Sequence, residues 1–288
     1  PISQSSWLNY FELYKNIPQY KILNSSMTLN EFKIIFYWEY AHRIIARMIG
    51  LFFLIPLIFF FFSKKIKNDY IKVCFLILSL IIFQGIVGWY MVKSGLVNDI
   101  TVSHYRLAVH LSIAFIIISI IFWLLMNIVK KKNKTFFNFS NHNLPFIGLI
   151  VVIFFQIIIG AFVSGLDAGK IYQTWPMMGS SYIPDDIAFK NYKNFIEFEN
   201  HSLVQFYHRN LAYFIVVYIL VLSLYIYKNK ITSLYIPITF LLFFLFLQAT
   251  LGVLTLVSGL NIYLASAHQI TSVLLIFSAL NLYYLRIK

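Results

Sequence analysis

Glu39-Tyr40-Ala41-His42-Arg43 stands directly before the apolar run Ile44 to Phe62. Ionisable side chains set against a stretch of that length sit at a membrane edge, where charge is costly unless it is used. At helical spacing Glu39 and His42 are i and i+3 and share one face. Tyr207-His208-Arg209 opens a later apolar run in the same way, and His110 and His268 lie near the starts of two more.

Working outward, runs of about 20 apolar residues, the length that spans a bilayer, occur at 43–62, 72–93, 105–129, 145–165, 203–227, 233–257 and 265–285. The chain of 288 residues is 60% hydrophobic, 19% aromatic and only 11% charged. That is far from the roughly quarter-charged mixture of soluble domains, so the expected class is an all-α polytopic membrane protein. A net charge of +13 does not point to nucleic acid, because the basic residues gather in short links between runs. A single cysteine, Cys74, excludes an internal disulfide and a CxxC redox motif, so redox chemistry must come from a cofactor. Residues 1–41 mix Trp7, Phe11, Tyr14, Phe36 and Trp38 with polar residues and read as interfacial, with a helix start at Thr28.

Basic residues mark one side of the membrane. Lys64, Lys65, Lys67 and Lys72 lie in one link, Lys130, Lys131, Lys132 and Lys134 in another, Lys228 and Lys230 in a third, and Arg286 and Lys288 in the tail. Only Asp69 accompanies them; the other acids, including Asp99, Asp167, Asp185 and Asp186, fall on the opposite side. By the positive-inside rule the lysine-rich links are cytoplasmic or matrix-side, and the four histidines lie toward the outer face.

A repeat runs through the chain. Gln84-(x3)-Gly88 leads to Ser94-Gly95-Leu96, Gln156-(x3)-Gly160 to Ser164-Gly165-Leu166, and Gln248-(x3)-Gly252 to Ser258-Gly259-Leu260. Single glycines let membrane helices pack closely, but three copies in equivalent places are better explained by duplication. The equivalent helices keep the same direction, giving two pseudo-symmetric four-helix-bundle halves in a parallel repeat. The expected organisation is an outer interfacial segment at 1–41, a first half at 42–129, a cytoplasmic or matrix linker at 130–144 and a second half at 145–288, with an outer loop at 166–201. The first half holds three spans and the second four, so an eighth helix is expected ahead of residue 1, the chain being trimmed at its start.

Four histidines at equivalent depths read as two pairs of axial ligands, His42 with His110 and His208 with His268, and haem iron suits such pairs. A lone histidine near a helix end is usually a packing residue; the repeated pairing argues for ligation. His104, His142 and His201, in or beside loops, read as solvated or interfacial. Arg43, Arg106 and Arg209 share the histidines' level, either snorkelling to the interface or pairing with propionates. Glu39 has Gln205 as its counterpart in the second half. It either offsets Arg43 or handles protons beside one macrocycle, which makes the Glu39 half the candidate reaction site. The long outer loop carries Tyr172 and Trp175, which serve as interface anchors or cap a macrocycle edge.

Several stretches resemble the haem A synthase family: Phe36-Tyr37-Trp38-Glu39-Tyr40-Ala41-His42-Arg43, Val102 to Leu111, the Ser164 to Met178 loop with its Tyr-x-x-Thr-Trp-Pro, Val204 to Arg209, and Ala267-His268-Gln269. Lacking loop cysteines, the chain is similar to the proteobacterial and mitochondrial branch. The resemblance implies eight helices, a resident haem b on His208 and His268, and substrate haem O on His42 and His110. It implies oxidation of a macrocycle methyl to a formyl group by successive hydroxylations and loss of water, giving haem A for terminal oxidases, with Glu39 as the essential glutamate. The expected partners are haem O, membrane lipid, a contact with haem O synthase and an unnamed electron donor, without nucleic acid. The expected location is the bacterial inner membrane, ahead of the mitochondrial one. The alternative is a dihaem cytochrome b-like electron carrier, which would keep two permanent haems and have no need of Glu39. A transporter is a third, weaker class.

Overall fold

In the computed structural model, the described residues are 1–95, 101–184, 186–187 and 195–287. Leu96, Asp99, Asp185 and Lys288, used above in the repeat and the charge pattern, lie outside them. Among the described residues the chain is helical, with no strand and one isolated bridge between Met178 and Ser181. It divides into two compact units, Pro1–Ile113 and Ala114–Lys288.

In the first unit α1 (Gln4–Lys15) and α2 (Pro18–Leu23) precede α3 (Leu29–Ser63). The apolar run expected from residue 43 proves to be the later part of this 35-residue helix. The reason is local. Thr28 Oγ1 accepts from the Glu31 N–H, and Glu31 accepts from the Thr28 N–H at 2.7 Å, a capping box that starts the helix firmly. No glycine or proline follows until Gly50, so nothing stops the helix between its polar, aromatic beginning and its apolar body. Trp7, Phe11 and Phe32 form a buried cluster that fastens α1 to α3, with Trp7 edge-on to Phe36 at 5.1 Å. α4 (Asn68–Gly95) packs on α3.

α5 (His104–Val129) carries the division between the units within it. In the second unit α6 (Leu144–Gly165), α7 (His201–Lys228), α8 (Tyr235–Val257) and α9 (Ile262–Arg286) pack in cyclic order as a four-helix bundle. Ile153, Ile219, Leu241 and Ile276 are buried, one from each of the four helices. Phe122 of α5 stacks on Phe277 at 4.3 Å. The basic link after α5 is fastened down. The Trp123 indole N–H donates to the Lys134 carbonyl at 2.9 Å, and Lys134 Nζ donates to the carbonyls of Tyr284 and Ile287, capping the end of α9.

Seven helices of the described residues are long and apolar enough to cross a membrane. Their bounds follow the runs read from sequence to within a few residues, α3 apart. Phe52, Phe62 and Phe246 face outward at 69%, 76% and 72% exposure. Such faces are what a hydrocarbon solvent accepts, and the chain is a multi-pass membrane protein. In lipid, apolar burial no longer drives helices together; close packing at small residues and interhelical hydrogen bonds do. That is why the glycines and glutamines of the repeat matter more than the size of the core.

Candidate functional site

The three Gln-(x3)-Gly copies meet three histidines, each across one pair of helices. On α4, Gln84 Nε2 donates to the His110 carbonyl of α5 at 3.0 Å, and Gly88 lies so close to the His110 ring that a Cβ there would be 2.8 Å from Cε1. On α6, Gln156 Nε2 donates to the His208 carbonyl of α7 at 3.0 Å, and a Cβ on Gly160 would stand 3.1 Å from the His208 ring. On α8, Gln248 Nε2 lies 3.3 Å from His268 Nε2 of α9, and a Cβ on Gly252 would be 2.9 Å from that ring. From the sequence alone this repeat reads as close packing or as duplication. Its bearing on the histidines needed the partner helix.

His42 and His110 lie within electrostatic reach of each other in the first unit, and His208 and His268 do so in the second. His110, His208 and His268 are partly buried, and His42 is exposed. His104, expected to be solvated or interfacial, is not solvated: it is 4% exposed, its ring 4.0 Å from that of Tyr105. As the first residue of α5 its ring turns onto an aromatic neighbour and leaves water. His142 and His201 are exposed.

The positions flanking the paired histidines differ between units. In the first, Arg43 donates to Glu39 Oε2 at 2.5 Å one helical turn away, each side chain about half exposed. Arg106 lies over the Tyr90 ring, 5.2 Å from its centroid. In the second, Gln205 and Arg209 turn to the outer loop. Gln205 donates to the Tyr172 carbonyl at 2.8 Å; Arg209 donates to the carbonyls of Tyr172 at 2.9 Å, Thr174 at 2.8 Å and Met177 at 3.3 Å. The Tyr172 hydroxyl donates to Asp186 at 3.0 Å, and Asp186 also accepts from Ser202. The loop is therefore a built feature on the end of the bundle. Trp175 is 49% exposed and precedes a cis proline, Pro176.

The donor set suits haem. Each pair offers two imidazoles from different helices, glycines leave the rings flat space, and Gln84 Oε1, Gln156 Oε1, Gln248 Oε1, His110 Nδ1 and Arg209 Nε are buried without partners in the structure. A carboxylate on a macrocycle edge would accept from Arg209 Nε and iron would take a bare imidazole nitrogen, whereas the glutamine oxygens are acceptors and need a donor.

Fold and site together define a class: a polytopic helical membrane protein with two histidines brought near each other within each unit. The family model described as "Cytochrome oxidase assembly protein" (COX15-CtaA) matches residues 1–280. Among relatives, a protein named "Heme A synthase" from Pelagibacter ubique is 42% identical over 281 residues, covering 96% of this chain and 81% of its own. One of the same name from Wolbachia pipientis is 39% identical over 288 residues, covering 99% and 81%, and one from Flavobacterium psychrophilum is 37% identical over 284 residues, covering 96% and 82%. The chain belongs to the COX15-CtaA cytochrome oxidase assembly protein family.

Proposed function

We propose that this chain is a haem A synthase, a membrane oxidoreductase that converts a methyl group of haem O to a formyl group and so supplies haem A to terminal oxidases. Family membership and the names of its relatives support the activity. The observation that carries the division of labour is the asymmetry of the pairs: Glu39 stands one turn before His42, whereas Gln205, in the same place before His208, holds the outer loop.

On this reading His208 and His268 hold a resident haem b, and His42 and His110 hold the substrate haem O. Haem b, when bound, supplies an iron that takes up and passes on single electrons. The residues do the rest. Arg43 fixes Glu39 through Oε2, leaving Oε1 free to take or return a proton as the methyl carbon is oxidised, and the half-exposed carboxylate exchanges that proton with solvent. The Arg209 guanidinium spends its terminal nitrogens on loop carbonyls and keeps Nε for a propionate; Arg43, from its pair with Glu39, and Arg106, from over the Tyr90 ring, would meet the propionates of the first pair. Tyr172 braces the loop through Asp186, and Trp175 would cap the edge of a bound macrocycle. Haem O synthase is the natural contact for substrate delivery, lipid surrounds the apolar faces, and the bacterial inner membrane is the location. The domain organisation proposed is that read from sequence, a first half at 42–129 for substrate and a second at 145–288 for haem b.

The test is expression beside a source of haem O in a host that makes no haem A, followed by separation of extracted haems. Haem A appears if the reading holds. Two stably bound haems with no haem A formed would refute it in favour of the electron carrier.

A further inference from the structure

The glutamine and glycine of the repeat touch the same histidine in all three copies, and each contact answers a requirement of an iron ligand. A neutral imidazole carries one N–H and one bare nitrogen, and the hydrogen bond at one decides which nitrogen is offered at the other. The glycine settles where the ring lies. A Cβ on Gly88 or Gly252 would come within 2.8 or 2.9 Å of Cε1, closer than real side chains approach, so any larger residue displaces the ring. The glutamine is anchored by its own Nε2 to the main-chain carbonyl of the histidine in two copies, at 3.0 Å each. That leaves all three Oε1 atoms buried and unpartnered. In the α4–α5 pair the His110 Nδ1 is buried and unpartnered as well. In the α8–α9 pair the need is already met, because His268 Nδ1 lies 3.1 Å from the main-chain carbonyl of Gln248.

We propose that Gln84 with Gly88, Gln156 with Gly160 and Gln248 with Gly252 are positioning pairs for His110, His208 and His268. The glycine seats the ring against the neighbouring helix, and an acceptor from the glutamine, the Oε1 of Gln84 or Gln156 and the main-chain carbonyl of Gln248, keeps the proton on Nδ1, so that Nε2 is the nitrogen presented to iron. For His208 the Gln156 amide nitrogen lies 3.2 Å from Nδ1 and 3.4 Å from Nε2, and a flip of the carboxamide, which exchanges its Nε2 and Oε1 and gives up the bond to the His208 carbonyl, brings Oε1 to Nδ1 once iron occupies Nε2. This rests on the haem-ligand reading above. It adds that the ligand field is set from the opposite helix, by residues that touch neither iron nor substrate.

The experiment uses the full chain purified in detergent, with haem b content, low-temperature electron paramagnetic resonance of the ferric haem, and midpoint potential as readouts. In Gln156→Leu the haem is held about 10–100-fold more weakly, the typical cost of losing an outer-shell partner of a ligating histidine. The potential of what remains rises, because a less basic imidazole stabilises ferric iron less. Gln156→Glu keeps an acceptor, retains haem and moves the potential the other way. Gly88→Ala weakens binding of added haem O, while Gly85→Ala, on the same helix with nothing within 4 Å of its Cβ, does not. Unchanged haem content, resonance and potential in Gln156→Leu, or equal haem O binding by the Gly88 and Gly85 variants, would overturn the positioning role. His208→Ala separates the two levels: a surviving bis-imidazole signal there defeats the ligand reading itself, whereas its loss beside a wild-type Gln156→Leu defeats only the positioning pairs.

Discussion

Replacing Arg209 with methionine should release the outer loop while leaving the helices in place. Two of its contacts, to the Thr174 carbonyl at 2.8 Å and the Tyr172 carbonyl at 2.9 Å, are short hydrogen bonds from a charged donor; the third, to Met177 at 3.3 Å, is weak. A bond of this kind contributes about 1.5–3 kcal/mol when well shielded. The group is only partly buried, and Gln205 still holds the Tyr172 carbonyl after the substitution, so the loss comes to about 2 kcal/mol for the pair. That is about a 30-fold rise in the loop-opening equilibrium. Two amides report on it: Met178, which donates to the Ser181 carbonyl at 2.8 Å, and Gly179, which donates to the Thr174 hydroxyl at 2.9 Å. Hydrogen exchange across residues 172–182 should accelerate by about that factor. Arg209→Lys should fall between, since one ammonium cannot serve carbonyls on both sides of the turn at once. Lys170→Met is the matched control, because its ion pair with Asp167 is exposed and contributes about 0–1 kcal/mol. Equal exchange in wild type and Arg209→Met would refute the clamp.

Other outcomes follow from the same contacts. Trp7→Ala empties the centre of the cluster with Phe11 and Phe32, costs about 3–5 kcal/mol locally, and should make the segment 4–23 sensitive to protease while the spans stay protected. Lys134→Met removes the donor to the carbonyls of Tyr284 and Ile287; the end of α9 should fray, with a loss of about 1 kcal/mol read as faster exchange there and a lower thermal midpoint.

The spans were legible because each is a long apolar run with polar ends, and the start of α3 was legible because Thr28 and Glu31 form a capping pattern that uses only local residues. The extent of α3 was not. Trp38, Glu39 and Tyr40 look like an interface, yet helix formation depends on the absence of breakers, and the helix simply continues through them. The four histidines stood out in the sequence because they recur at equivalent depths. The fate of Arg209 was not, because it depends on which carbonyls a 35-residue loop turns inward, and that is decided by tertiary contacts such as Tyr172 with Asp186. The Gln-(x3)-Gly repeat lay between these cases. Its spacing was visible, but its purpose appeared only when the facing helix brought a histidine ring to each glycine.

The central claim is that the first pair is where a macrocycle is oxidised and that Glu39 manages the protons. Its most direct test is the ratio of haem A to haem O in membranes carrying Glu39→Gln, at matched protein level. The substitution makes the first unit resemble the second, which has Gln205 in that place, and keeps size and hydrogen bonding while removing the titratable proton. The account predicts that haem b is retained, that haem O still binds, and that conversion falls about 10²–10⁴-fold, the usual contribution of a positioned acid–base group. Conversion at the wild-type rate would contradict it.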